Sequence, residues 1–352
     1  MRFSSGLISG KLVDRFGERA VLGFGLFMVS FFTLLTALSQ SYNQLLIFRT
    51  LGGLGSSMFS VSAGSLLMRS VGDDVRARAQ SLYNGGFLIG GVAGPAFGGL
   101  LSGVSLRAPF FVYSITLAMA GMTALFFLSE KRLGKKVDAS GDEIETTTLK
   151  EAFRLKPYQI ALVLAFVNNW VLFGMRSSIL PLFVTEKLNS TASIAGLGLT
   201  IGALFQGLFL LKAGRFSDES GRKAALLIGG IVVMSAILVL CVTTNVTLYF
   251  ISMALFGLGG AYVGTAPGSV VGDIIRGRGG QVIAAWQMAG DAGMIVGPIL
   301  VGFLTDTYSF QVAFIASAIV YSVAILLAII LPETRQSKLG VELIPDKNKQ
   351  EL

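Results

Sequence analysis

Long apolar segments alternate with short polar connections over most of the chain. A helix that crosses a bilayer needs about 20 predominantly apolar residues, and segments of that length recur along the sequence. The predicted spans are residues 20–39, 44–68, 79–103, 108–128, 158–185, 193–211, 224–243, 247–271, 280–304 and 310–331. Residues 1–10 are predicted to be the end of a further helix. The pattern predicts an all-α membrane protein with about ten full spans.

One long polar stretch interrupts this alternation. Residues 130–157 mix both signs of charge and lack apolar periodicity, which is typical of a linker. The predicted organisation is an N-terminal helical bundle (1–129), a linker (130–157), a C-terminal helical bundle (158–332) and a polar tail (333–352).

Basic residues are concentrated in alternate connections between the spans. One side carries Lys11, Arg15, Arg19, Arg69, Arg76, Arg78, Lys212, Arg215, Arg222, Lys223, Arg276 and Arg278. The other side carries only Arg107 and Lys187. Because basic loops face the cytoplasm, the first group, the linker and the C-terminus are predicted to be cytoplasmic in a cell membrane.

Composition supports this interpretation and excludes several function classes. Of the 352 residues, 53% are apolar and 14% are charged, whereas soluble domains are about 25% charged. The net charge of +8 does not indicate a nucleic-acid partner, because the basic residues lie between apolar runs. The chain has no histidine and one cysteine, and it lacks a Walker-type phosphate loop. No enzyme activity, metal or cofactor is therefore expected.

The two halves of the sequence repeat each other. Residues 10–22 (GKLVDRFGERAVL) align with 214–226 (GRFSDESGRKAAL), and residues 71–78 (VGDDVRAR) align with 271–278 (VGDIIRGR). Gly94-Pro95 likewise corresponds to Gly297-Pro298. Tandem halves are typical of secondary transporters, whose binding sites lie between the repeats. The halves are predicted to form two bundles related by a pseudo-twofold axis along the membrane normal.

Four motifs, in order, resemble the major facilitator superfamily. They are GKLVDRFGERAVL at 10–22, LIFRTLGGLGSS at 46–57, GGVAGPAFGG at 90–99, and PETR at 332–335. The third motif is associated with the drug and metabolite antiporter branch. The resemblance implies proton-coupled export of small molecules by alternating access, by a monomer in the lipid bilayer.

Other interpretations remain open beside that one. A sugar or metabolite carrier, or an uptake symporter, is the alternative within the family. A truncated, non-transporting membrane protein or a sensor is the alternative from another class. The family has twelve spans, and this alignment leaves out the first helix and half of the second, so either the reading frame starts late or the product is truncated.

The resemblance also implies a conformational latch in the loops of the basic side. Its predicted residues are Gly10, Asp14, Arg15, Gly17, Arg19, Asp73, Asp74, Gly214, Asp218, Gly221 and Arg222. Asp14 is expected in a tight turn close to residues 280–283, with Asp73 or Asp74 nearby, and the latch would favour the outward-facing state. The alternative is that the basic residues only anchor the loop in the cytoplasm.

Two charged residues inside spans are candidates for coupling. Asp291 is the clearest intramembrane acid and could carry a proton if burial raised its pKa; alternatively it is a structural residue bonded, for example, to Gln287. Arg49 could influence the protonation of a carboxylate, or it could extend toward the membrane surface or make a buried hydrogen bond.

A second polar set could line a cavity that accepts polar or anionic groups. It comprises Arg176, Asn168, Asn169, Gln206 and Tyr262. The alternative is hydrogen bonding between membrane helices.

Glycine and proline mark predicted helix-packing positions, because glycine allows close approach and proline bends a helix. These residues are Gly90, Gly94, Pro95, Gly98, Gly99, Gly297 and Pro298. The resemblance implies that the first five contact residues 193–211.

Overall fold

The computed structural model describes residues 1–72, 74–128, 146–276 and 279–335. Within these ranges every regular element is helical. The helices are α1 (Gly6–Phe16), α2 (Glu18–Ala37), α3 (Tyr42–Ser70), α4 (Arg76–Ser102), α5 (Ala108–Phe127), α6 (Leu149–Arg154), α7 (Lys156–Lys187), α8 (Ala192–Ser220), α9 (Arg222–Cys241), α10 (Val246–Ile274), α11 (Gly280–Thr307) and α12 (Phe310–Ile330). The all-α membrane fold predicted from the sequence is confirmed.

Nine of the described helices are long and apolar enough to cross a membrane: α2, α3, α5 and α7 to α12. The one predicted span that is not among these nine is residues 79–103, which form the continuous helix α4.

Several helices continue beyond their predicted apolar limits. Helix α8 is expected over residues 193–211 and runs for 29 residues to Ser220, about 43 Å at 1.5 Å per residue. The hydrocarbon core is about 30 Å thick. A span predicted from apolar residues therefore ends at the first charged residue, whereas the hydrogen-bonded helix continues beyond it into the polar layer of the membrane.

The N-terminal motif corrects a second expectation. Asp14 and Arg15 lie in the last turn of α1, and Arg19 lies in the first turn of α2, so these residues do not form a loop. The turn is Gly17 alone, with φ 88°. Glycine adopts this conformation without the steric penalty that a Cβ brings, which allows one helix to follow the other directly.

Helix α7 is α-helical over Lys156–Asn169 and then π-helical over Trp170–Ile179. A short α-helical segment, Leu180–Leu182, contains Pro181 and precedes a second π-helical segment, Phe183–Lys187. Proline removes a backbone donor, and π-helical turns are often found at functional sites.

The chain folds into two compact units that do not coincide with the sequence halves. Unit 1 comprises Met1–Ser70, Gly90–Ala152 and Ile275–Met288, and unit 2 comprises Val71–Ile89, Phe153–Ile274 and Ala289–Leu352. The beginning of α4 thus groups with helices of the second sequence half, and the beginning of α11 groups with helices of the first. The predicted bundle boundaries at residues 129 and 158 follow the sequence repeat, not these compact units, and they stay a prediction. Within the predicted linker, α6 is helical, and residues 130–145 lie outside the described residues.

The sequence repeat has a counterpart in helix packing. In unit 1, a Cβ on Gly55 of α3 would lie 2.6 Å from the carbonyl oxygen of Gly25 in α2. In unit 2, a Cβ on Gly259 of α10 would lie 2.8 Å from the carbonyl oxygen of Gly229 in α9. Both pairs of helices therefore approach each other at equivalent glycines, where any side chain would force them apart.

Candidate functional site

Asp14 caps the N-terminus of α11 within unit 1. Its Oδ1 accepts a hydrogen bond from the backbone N–H of Gly280 at 2.7 Å, and its Oδ2 accepts one from the N–H of Gln281 at 3.2 Å. The Gln281 side chain also donates to Oδ2, at 3.4 Å. The first N–H groups of a helix have no intrahelical partner and carry the positive end of the helix dipole, so a carboxylate stabilises this end.

The close approach depends on Gly10, one helical turn before Asp14. A Cβ at Gly10 would lie 2.7 Å from the Cα of Gln281, and a Cβ at Gly280 would lie 2.6 Å from the carbonyl oxygen of Gly10. Neither position therefore accepts a side chain without moving the two helices apart.

Asp218 makes the equivalent contact within unit 2. It lies in the last turn of α8, and it accepts hydrogen bonds from the backbone N–H groups of Ala77 at 2.9 Å and Arg78 at 3.0 Å. These residues open α4. A Cβ at Gly214, one turn earlier, would lie 2.9 Å from the carbonyl oxygen of Ala77, and Gly221 provides the turn with φ 112°.

A buried charge cluster surrounds the Asp218 cap. Arg222 donates from Nη1 to Asp218 at 2.7 Å and from Nε to Asp273 at 3.1 Å. Arg76 also pairs with Asp273, and Arg78 Nε lies 3.2 Å from Asp218. The side chains of Arg222, Asp218 and Asp273 are at most 1% exposed. Burying a charge is costly unless it is paired with an opposite charge, and each charge in this cluster has such a partner.

Unit 1 contains a simpler ion pair at the equivalent position. Arg69 Nη1 lies 2.9 Å from Glu18 Oε2, and the Ser65 hydroxyl donates to Glu18 Oε1 at 3.2 Å. The 204-residue offset that relates Asp14 to Asp218 also relates Glu18 to Arg222 and, one residue before the ends of α3 and α10, Arg69 to Asp273. The two repeats therefore carry the same ion pair with the charges exchanged. The motif alignment of 71–78 with 271–278 instead pairs Asp273 with Asp73.

Six charged residues of these contacts were not among the predicted latch residues: Glu18, Arg69, Arg76, Arg78, Asp273 and Glu333. Glu18 and Asp273 lie inside the aligned segments 10–22 and 271–278, and Arg69 lies two residues before the aligned segment 71–78. Glu333 accepts hydrogen bonds from the backbone N–H groups of Arg222 at 2.8 Å and Lys223 at 3.2 Å, and so caps α9. The motif that contains Glu333 was the only signal for it in the sequence.

The other predicted latch residues lie apart from these caps. Arg15 is exposed, with its guanidinium 5.3 Å from the centre of the Phe16 ring. Arg19 donates to the carbonyl oxygen of Leu125 in α5. Asp74 is exposed in the turn before α4, and Asp73 lies outside the described residues.

Among the coupling candidates, Asp291 is buried in α11 and 9% exposed. Gln287, one turn earlier, donates to the carbonyl oxygen of Ser60 in α3 at 2.9 Å. Arg49 is exposed on α3 and makes no hydrogen bond or ion pair with any described residue. Arg176 is 9% exposed in the π-helical segment of α7.

Three members of the predicted cavity set contact neighbouring helices or their own helix. Asn168 donates to the carbonyl oxygen of Val263 at 3.3 Å and accepts from the Tyr321 hydroxyl at 3.4 Å. Asn169 donates to the carbonyl oxygen of Ala165 on its own helix at 2.9 Å. The Tyr262 ring packs edge-on against Phe216, with the ring centres 5.9 Å apart.

The glycine positions fall into two groups. Gly297 of α11 packs closely against α7, because a Cβ there would lie 3.0 Å from the Cα of Trp170. Pro298 follows it inside the helix. In contrast, Cβ atoms added to Gly90, Gly94, Gly98 and Gly99 would have no described atom of their own unit within 4 Å. The Pro95 side chain lies outside the described residues, and the contact with residues 193–211 stays a prediction.

Comparison with known protein families gives one clear match. The sequence profile of the Major Facilitator Superfamily matches residues 3–179 and, a second time, residues 162–349. The chain belongs to the major facilitator superfamily. The two matches correspond to the two halves of the sequence repeat.

Relatives of this superfamily chain include named transporters. It is 29% identical over 311 residues to the synaptic vesicular amine transporter of Mus musculus, and the match covers 86% of this chain and 58% of the relative. It is 26% identical over 322 residues to multidrug resistance protein 1 of Bacillus subtilis (strain 168), covering 89% and 80% of the two chains. The chain thus spans little more than half of the amine transporter.

Solved structures share the fold. The human organic anion transporter MFSD10 (TETRAN) superposes with a TM-score of 0.75 and 16% identity, over 93% of this chain and 80% of that one. The E. coli fucose:proton symporter FucP gives 0.73 and 13%, over 94% and 87%. These structures share the fold of the family, a multi-pass bundle of helices long and apolar enough to cross a membrane, and the sequence resembles the drug:proton antiporters of that family.

Proposed function

We propose that this chain exports small molecules in exchange for protons, by alternating access. The observation that carries the proposal is the pair of reciprocal caps. Asp14 joins α1 to the first turn of α11, and Asp218 joins α8 to the first turn of α4. Each cap ties a helix of one sequence half to the first turn of a helix from the other half.

The caps lie at the helix ends next to the connections rich in Lys and Arg, which we call the basic ends. A carboxylate at a helix N-terminus contributes about 0.3–1 kcal/mol, and up to ~2 kcal/mol when partly buried. Two caps together therefore contribute about 0.6–4 kcal/mol, which biases a two-state equilibrium by a factor between roughly 3 and 1,000. Both must break before the basic ends separate, so they favour the state that is closed at these ends.

Membrane topology gives this state a direction. If the basic ends face the cytoplasm, as the positive-inside rule indicates, the capped state is outward-facing. The linker and the C-terminus then lie in the cytoplasm, and one chain in the cell membrane suffices for transport. Names of the relatives support export: one is a multidrug resistance protein and another is an amine transporter of vesicles.

Proton coupling is assigned to Asp291. It is a buried carboxylate within a predicted span, and a carboxylate alternates between charged and neutral forms as the site opens to each side. The chain contains no histidine that could take this role. The ligand would then bind to the state that protonation disfavours.

The test is transport by the full chain in inverted membrane vesicles, with a panel of drugs, amines, organic anions and sugars. We expect at least one compound to accumulate only when the vesicle interior is acidic. Asp291→Asn should abolish the dependence on the pH gradient, whereas Asp306→Asn, at an exposed position of the same helix, should keep it.

Three results would contradict the proposal. If no compound responds to the gradient, proton coupling is wrong. If Asp291→Asn leaves the pH dependence unchanged, the assignment to Asp291 is wrong. Movement of substrate and protons in the same direction would favour an uptake symporter.

A further inference from the structure

Arg176 is a buried cation without a protein counterion among the residues that the structure describes. It lies in the π-helical segment of α7 and is 9% exposed, and its guanidinium makes no ion pair and no hydrogen bond with any of them. Every other buried guanidinium described in unit 2 is paired with a carboxylate; Arg222 and Arg76 share Asp273. An unpaired charge inside a membrane protein is costly, and such residues commonly mark substrate or ion pathways.

The guanidinium packs closely against a glycine on α8, where no side chain would fit. A Cβ at Gly202 would lie 3.0 Å from Arg176 Nη2 and 3.1 Å from the carbonyl oxygen of Met253 on α10. The nearby Tyr249 hydroxyl makes no hydrogen bond with Arg176 and donates instead to the carbonyl oxygen of Ala195 at 2.9 Å. No described residue therefore accepts a hydrogen bond from Arg176.

A second unpartnered polar group follows on the same face of α8. Gln206 is one helical turn from Gly202, is partly buried, and makes no hydrogen bond with a described residue. Residues four apart on a helix are neighbours, separated by about 6 Å along the axis. An amide both donates and accepts, so it complements a neutral polar group of the ligand.

We propose that Arg176 and Gln206 form a subsite for an organic anion, in which the guanidinium binds the ligand's carboxylate and the amide binds a neutral polar group about 6 Å away. The planar guanidinium matches a carboxylate through two parallel hydrogen bonds. This inference rests on the proposed transport function and specifies its substrate class.

The experiment is a binding measurement on the purified full chain in detergent, with no membrane gradient. Benzoate, benzamide and benzylamine are compared as probes, because they have similar size and shape and differ in charge. Thermal unfolding midpoints at increasing probe concentration give the apparent dissociation constants. We expect benzoate to stabilise the protein and benzamide and benzylamine to do so at least about tenfold more weakly, since hydrogen bonds to charged groups are worth more than neutral ones.

Four variants locate the site. Arg176→Gln should weaken benzoate binding at least tenfold, and Arg176→Lys should retain part of it because the charge remains. Gly202→Ala should weaken it too, because the added methyl group crowds the guanidinium. Arg107→Gln, which removes an exposed cation that donates to the carbonyl oxygen of Ser39, should bind benzoate as the wild type does.

Stability of the ligand-free protein separates a binding role from a structural one. Removing an unpaired buried charge should leave the unfolding midpoint of Arg176→Gln equal to or above that of the wild type. A lower midpoint would mean that Arg176 is a structural residue, and the subsite proposal would fail. It would also fail if benzoate did not stabilise the protein, if benzamide or benzylamine bound equally well, or if Arg176→Gln kept the preference for benzoate.

Failure here is distinguishable from failure of the proposed function. Gradient-driven transport of cations alone, without benzoate binding, would remove the anion subsite and leave proton-coupled export intact. Benzoate binding at Arg176 without any gradient-driven transport would support the anion subsite and contradict proton-coupled export.

Discussion

The two carboxylate caps share a backbone arrangement and differ in their surroundings. Asp218 is 1% exposed and paired with Arg222 and Arg78, whereas Asp14 is only partly buried. Four residues after Asp218 the chain places Arg222; four residues after Asp14 it places Glu18, which pairs with Arg69 instead. Both repeats thus have the hydrogen bonds between an aspartate and the first backbone N–H groups of a helix, whereas the charged side chains around the aspartate differ between the repeats.

Removing Arg222 should have the largest effect. Arg222→Met leaves Asp218 and Asp273 buried without a shared cation, and breaking a buried pair costs about 3–5 kcal/mol. Unfolding in denaturant, followed on the purified protein in detergent, measures the loss. Arg215→Met, at an exposed position of α8, is the matched control, and equal stabilities of the two variants would contradict the importance of the cluster.

Exchanging the charges in unit 1 tests whether the polarity of the ion pair matters. Glu18→Arg and Arg69→Asp should each destabilise the protein by about 3 kcal/mol, because each puts two like charges together in a buried position. The double variant restores the arrangement of unit 2 and should recover at least half of the summed loss. Simple additivity of the two single effects would show that the side chains do not form a pair.

The caps themselves should differ in strength. Asp218→Asn removes the charge that pairs with two arginines and should cost about 3 kcal/mol. Asp14→Asn should cost about 1 kcal/mol, because the asparagine oxygen still accepts one of the two backbone N–H bonds, while its NH2 group cannot accept the other and the interaction with the helix dipole is reduced. Similar thermal unfolding midpoints for Asp218→Asn and Asp14→Asn would contradict the prediction that the Asp218 cap is the stronger one.

The two glycine turns should give effects that are similar to each other and smaller than the loss of a buried ion pair. Gly17→Ala and Gly221→Ala place a Cβ at φ 88° and 112°, at a cost of about 1–2 kcal/mol each. Gly86→Ala is the control, because a Cβ there has no described atom within 4 Å and helical alanine is favoured over glycine. A difference of more than about 1 kcal/mol between the two turn variants would show that the turns are not equivalent.

The sequence predicts the helices well because length and apolarity are local properties, and it predicts the repeat because Asp14, Gly17, Asp218 and Gly221 keep their spacing. The sequence does not predict the exchanged ion pair. The repeat leads one to expect a basic residue at position 18, equivalent to Arg222, but the chain has the acidic Glu18 there.

The interior candidates could not be sorted from the sequence, because apolar spans give little indication of which face is buried. Asn168 and Arg176 are eight residues apart and would lie near one face of a regular α-helix. The π-helical segment after Asn169 changes that phase, so that Asn168 contacts Val263 and Tyr321 while Arg176 lies beside Gly202.

The most direct test of the central claim is whether the two caps control a single opening transition. Two reporter cysteines, Ser81→Cys next to the α4 cap and Ala284→Cys next to the α11 cap, are each introduced into a Cys241→Ser background. Both positions are buried in the capped state. The rate of labelling by a membrane-impermeant thiol reagent is then measured with and without Asp14→Asn or Asp218→Asn. Alternating access predicts that either substitution accelerates labelling at both positions; acceleration only at the position next to the altered cap would contradict it.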